Sequence, residues 1–104
     1  MVSNENTGRI YKLSENADFD LEDIYEYSFS EFGFMQAENY LEGIHTLFEQ
    51  LTLFPNEGIL RKEIGENIRS IPYQSHIVFY LAYEKFILIV RVLHQSQNAQ
   101  DYFK

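Results

Sequence analysis

The chain has no cysteine, which excludes disulfides and thiolate metal sites and suits a reducing compartment. It also has no tryptophan, only two prolines and only five glycines among its 104 residues, so obligatory breaks in secondary structure are few. Long hydrophobic runs are missing as well. Apolar runs such as Phe86 to Val90 are far too short to span a bilayer. Residues Met1 to Gly8 are polar and have neither the basic start nor the apolar segment of a signal peptide. The expectation is a cytoplasmic protein that does not engage a membrane. Cations are scarce: the formal net charge is −8, and as far as Leu60 only Arg9 and Lys12 are basic. Such a chain repels phosphates, which argues against broad binding to nucleic acid. Arg61, Lys62, Arg69, Lys85 and Arg91 leave room for a local basic site in the remainder. His45 and His76 have no partner at H-x-x-x-H spacing, so neither a metal nor a cofactor is expected.

Large rings are what the chain does have, with nine Phe and eight Tyr. Each buries much area, so one small domain can form a core without staples. We expect a single domain over residues 1–104, with a core at about 9–95 and tails at 1–8 and 96–104. Arg9 to Leu13 alternates as a short strand, Tyr11 and Leu13 on one side and Ile10 and Lys12 on the other. Ser14 or Asn16 offers a helix cap. Ala17, Leu21, Ile24, Tyr25, Ser28 and Phe32 then recur at helical spacing, while Asp18, Glu22, Asp23 and Glu26 lie toward water. Gly33 ends that helix. A second stripe, Ala37, Tyr40, Leu41, Ile44, Phe48 and Leu51, runs toward Pro55, and the short join makes the pair an antiparallel hairpin.

After Gly65 the period becomes two. Ile68 to Tyr73 reads as a strand kept near an edge by Pro72. His76 to Tyr83 and Phe86 to His94 read as central strands, apolar on both faces and joined at Glu84–Lys85. The order β-α-α-β-β-β predicts an α+β fold: an antiparallel β-sheet with an N-terminal helical hairpin packed on one face. The opposite sheet face then needs cover.

Several motifs in series resemble the ParE branch of the RelE/ParE toxin superfamily. Ala17 to Ile24 fits A-x-x-DL-x-x-I, and Phe32-Gly33, Gln36-Ala37 and Tyr40 fit FG-x-x-QA-x-x-Y. Leu51 and Pro55 fit L-x-x-x-P. Glu63-Ile64, Arg69 and His76 to Tyr80 fit E-[IL]…R…H-x-[IV]-x-Y, and Ile89 to His94 fits I-x-R-[IV]-LH. The resemblance covers about Ile10 to Asn98. It departs at Gln97-Asn98, where members commonly carry Met-Asp, in a tail that contributes to target action in the family.

The resemblance implies a toxin of a type II toxin–antitoxin system that inhibits DNA gyrase by binding it. A ParD-like antitoxin neutralises such a toxin by forming a hetero-oligomer with it. Under that reading no residue is catalytic, and Arg69, His76, Tyr80, Arg91 and His94 are the expected partner-binding positions. The alternative on the same fold is a RelE-like, ribosome-dependent mRNA endonuclease, with Glu63, His94, Arg69 and Arg91 as acid, base and phosphate-holding cations. An inert relic that binds a partner without toxicity is a third reading. Strand alternation places Arg91 on the face of Ile89 and Leu93 and turns His94 to the other side, which argues against a converging site. An arginine within an apolar strand requires a partner. A carboxylate such as Glu63 or Glu38 is the structural choice, and a carboxylate of the antitoxin or target the functional one. The uncovered sheet face is expected to receive an antitoxin segment, as a helix or an added edge strand.

Overall fold

The computed structural model describes residues 8–103. Strand β1 (Ile10–Leu13) leads into helix α1 (Glu15–Phe32), followed by α2 (Phe34–Leu53). Ser14 makes the first transition: its hydroxyl accepts the Ala17 N–H at 3.0 Å as the N-cap and donates to the Val90 carbonyl at 2.7 Å. Gly33 makes the second. Its φ of 91° lies where a side chain is strained, its N–H closes α1 onto the Phe29 carbonyl, and its own carbonyl accepts from Ala37 to start α2.

Four further strands follow: β2 (Ile59–Leu60), β3 (Arg69–Tyr73), β4 (His76–Ala82) and β5 (Phe86–His94). The sheet order is β1-β5-β4-β3-β2. All neighbours are antiparallel except β1 and β5, which run parallel with Ile10 opposite Phe86 and Leu13 opposite Ile89. The sheet is therefore mixed, where an antiparallel one was expected. A tight turn fixes direction for β4 and β5, but β1 reaches the outer edge of β5 through both helices, and alternation carries no information on its sense. The two-residue β2 was not anticipated either. It covers β3 only at Arg69 and Ser70, so Pro72, which has no N–H, lies where the outer edge is unpaired.

The helical hairpin packs on one sheet face around Ala17, Ile44, Phe48, Leu51, Val78, Tyr80, Ile87 and Ile89, all fully buried. Phe32, assigned to the α1 stripe by spacing, is 59% exposed instead, as the last residue of α1. The far face is not bare as expected. Ile68, Phe79 and Leu93 form a second buried cluster, closed by Ile64, Ala99 and Phe103, with the Phe103 ring 5.3 Å from that of Phe79. Residues beyond Gln95 thus belong to the packed structure, and Ala99–Tyr102 form a 3-10 turn. Toward β1, Leu81, Leu88 and Val90 are half-buried on that side, as is Ile77 at the start of β4.

A β-bulge at Val90 sets the geometry of the C-terminal strand. Phe79 faces Arg91 while Tyr80 faces Ile89, leaving Val90 unopposed. The bulge overturns the expectation that Arg91 shares a face with both Ile89 and Leu93. Ile89 packs under the helices, and Leu93 packs in the far cluster.

Candidate partner-binding site

β1 ends at Leu13, so the outer edge of β5 loses its strand partner beyond Ile89. Asp20 of α1 takes over that edge. Its carboxylate accepts the Val92 N–H at 2.9 Å and two parallel bonds from the Arg91 guanidinium, Nε and Nη2, each at 2.8 Å. Both side chains are largely buried, and the Arg91 guanidinium also lies 5.2 Å from the Tyr102 ring centre. The bond from Asp20 holds the Arg91 pKa above its usual value, against burial, which lowers it. The strand arginine therefore has an internal carboxylate, but it is Asp20 rather than Glu63 or Glu38. The signal was in the sequence: Asp20 follows Ala17 by three positions and precedes Ile24 by four, on the buried flank of the helix.

Beside this lock, α1, the start of α2, the β3–β4 turn and the end of β5 enclose an open cleft of about 660 Å³. His76 and His94 stand opposite each other across β4 and β5, their rings edge-to-face at 5.4 Å. The Tyr40 hydroxyl lies 2.7 Å from His76 Nδ1. Burial first, and the neighbouring His94 second, lower the His76 pKa, so the ring is neutral near pH 7. His94 Nδ1 accepts the Ser96 N–H at 3.1 Å. Asp23, Tyr27, Ser28, Phe32 and Gln36 complete the helical wall. Sequence reasoning missed both Tyr27 and Ser28 as site residues: spacing puts Ser28 in the buried α1 stripe and assigns Tyr27 to neither face.

The predicted positions therefore fall into two groups. His76 and His94 line the cleft, and Arg91 supports its wall through Asp20. Arg69 and Tyr80 lie toward the other end of the sheet, where both hold the segment after α2. Arg69 donates to the carbonyls of Gly58 at 2.6 Å and Asn56 at 3.3 Å. The Tyr80 hydroxyl accepts from the Gly58 N–H at 2.8 Å and donates to the Pro55 carbonyl at 2.9 Å. Tyr80 is 0% exposed, so it presents no surface to a partner here and acts on this segment only from beneath. A Cβ on Gly58 would come within 2.8 Å of the Ser70 carbonyl and of Tyr80, which explains the glycine.

Glu63, the remaining nuclease candidate, pairs with Arg61 Nε at 2.7 Å. Its carboxyl is held below the usual range first by that bond. The altered tail residues also have local roles. Gln97 accepts the His94 N–H at 2.7 Å and donates to the Tyr102 hydroxyl at 2.8 Å, and the Asn98 side chain caps the 3-10 turn.

Residues 11–99 match the family model described as ParE toxin of type II toxin-antitoxin system, parDE. The chain is 36% identical over 90 residues to Toxin ParE1 of Caulobacter vibrioides, covering 86% of this chain and 93% of that protein. It is 35% identical over 89 residues to Toxin ParE1 of Mycobacterium tuberculosis, covering 85% and 91%. Among solved structures, a chain of the chromosomal ParDE TA system from P. aeruginosa superposes with a TM-score of 0.70 at 19% identity, covering 83% of this chain and 94% of that one. That superposition speaks for the fold.

Proposed function

The chain belongs to the ParE toxin family of type II toxin–antitoxin systems, and from that premise we propose that it acts by protein binding, inhibits DNA gyrase and is neutralised by a ParD-like antitoxin. The observation that carries the non-catalytic part is the dispersal of the groups a nuclease would need. Glu63 is engaged by Arg61, Arg91 by Asp20, Arg69 by backbone carbonyls and His94 by Ser96. Cleavage at a 2′-hydroxyl requires an acid, a base and a cation aimed at one phosphate. Here each candidate is committed to a separate internal partner, and Arg69 belongs to a different part of the sheet from His94.

The helical hairpin adds an electrostatic argument, because neither α1 nor α2 contains a lysine or arginine. A surface of that sign disfavours an RNA substrate and is compatible with a protein partner. Family membership supports the reading of gyrase as target and a ParD-like antitoxin as partner, and a cytoplasmic location goes with that reading. No helix among the described residues is long and apolar enough to cross a membrane. No cofactor enters the mechanism.

Expression of the chain alone is expected to arrest growth, and co-expression of a ribbon-helix-helix protein encoded beside it to restore growth and yield a stable complex. Harmless expression, or arrest that such a partner does not relieve, would refute the reading.

A further inference from the structure

We propose that the cleft between the helical hairpin and the β3–β4 turn receives a cationic side chain, arginine or lysine, carried on an otherwise apolar segment of the antitoxin. The naming of the antitoxin rests on the toxin reading; the chemistry of the cleft does not. Three observations specify that chemistry. First, the walls are aromatic and open to solvent: Tyr27 is 65% and Phe32 59% exposed, with Tyr40 at the floor, and such rings accept both apolar contact and a cation on their faces. Second, the charge is of one sign. Asp23 lines the cleft, and among the described residues no cation or donor is bonded to it, whereas Asp20 is already satisfied by Arg91. The flanking helices supply no lysine or arginine that could answer Asp23 from within the hairpin. Third, Ser28 is 6% exposed and lines the same cleft, and among the described residues no hydrogen bond engages its hydroxyl. A buried hydroxyl left without a partner costs free energy that an entering donor recovers.

The opposing wall is compatible with a cation. His76 is neutral near pH 7 because burial and His94 depress its pKa, so it does not repel the incoming charge. An acidic segment or a nucleic-acid strand would face Asp23 and the uncompensated carboxylates of both helices, which is unfavourable for either.

The test uses the full chain and a synthetic 15-residue peptide of alanine and leucine with two arginines, beside copies with glutamine or glutamate for arginine. Binding is followed by fluorescence anisotropy and by the ring resonances of His76 and His94. The arginine peptide is expected to bind and shift both histidine resonances. Asp23→Asn should weaken it about fivefold, and Glu22→Gln, which removes the same charge from the outer side of the same helix, by less than about twofold. Absence of binding by the arginine peptide, equal binding of the glutamine peptide, or equal effects of the two substitutions would overturn the proposal. So would a dimer of the protein alone that Asp23→Asn abolishes, since that assigns the cleft to a second copy. Gyrase inhibition by the same variants keeps the two readings apart. Failure of peptide binding with inhibition intact removes only the cleft assignment, and binding without inhibition upholds the cleft while removing the antitoxin as its named partner.

Discussion

Replacing Asp20 with asparagine should unsettle the whole C-terminal half of the sheet. The carboxylate accepts three donors, two from Arg91 and one from the Val92 N–H, and its side chain is 13% exposed beside an arginine side chain that is 16% exposed. The amide keeps the size but loses the charge, and it turns an NH2 group toward a donor. Hydrogen bonds to charged groups contribute about 1.5–3 kcal/mol each, and breaking a buried pair from one side costs about 3–5 kcal/mol. A loss of about 3 kcal/mol is therefore expected, at the low end because both groups keep some contact with water. In a domain of this size each kcal/mol moves the melting midpoint by about 4–8 °C, so Tm should fall by roughly 12–24 °C. Urea and thermal melts followed by circular dichroism read it directly. The double variant Asp20→Leu with Arg91→Met should recover much of the loss, because the uncompensated buried charge is then gone. A change below about 0.5 kcal/mol for Asp20→Asn would refute the lock as a structural element.

Other outcomes follow from the same contacts. Tyr80→Phe strands the buried Gly58 N–H and should cost about 1–3 kcal/mol, with faster amide exchange at Gly58 as its local signature. Gly43→Ala should destabilise even though alanine favours helix by about 1 kcal/mol, because the new Cβ would overlap the Tyr73 hydroxyl; Tyr73→Phe should relieve part of that loss. Phe103→Ala should cost about 1–2 kcal/mol and raise dye binding by uncovering Phe79 and Leu93, as judged by urea midpoint and fluorescence. His76 has a depressed pKa, so between pH 6.5 and that lower value the unfolded state binds more protons than the native state. Its contribution to stability is therefore lost as pH falls below about 6.5, and an NMR titration of its ring should show a midpoint under the ordinary histidine value.

Much of this architecture was legible because it follows from periodicity. The α1 and α2 stripes, the stop at Gly33 and the limits of Phe86–His94 all follow from spacing and from single residues with one conformational use. What was not legible depends on pairing at a distance. The parallel sense of β1, the bulge at Val90 and the brief β2 are decided by which edge is left open after folding, and alternation within one strand cannot report that. The site shows the same division. His76 and His94 were expected as partner-binding residues, and their juxtaposition follows from the β4–β5 hairpin register. Asp20 was overlooked as the partner of Arg91 because it lies far away in sequence, although its helical flank pointed inward. The tail was underestimated because Ala99 and Phe103 carry too few apolar residues to signal that they close over Phe79.

The proposed mode of action is occupation of gyrase by this toxin, without cutting of RNA. The direct measurement is a titration of the purified protein against gyrase, ATP and relaxed plasmid, run beside translating ribosomes with labelled mRNA. Supercoiling should fall with the ratio of toxin to gyrase, denaturation should release linear plasmid, and the mRNA should stay intact. Full supercoiling at saturating toxin, with mRNA cut in the ribosomal A site, would contradict it.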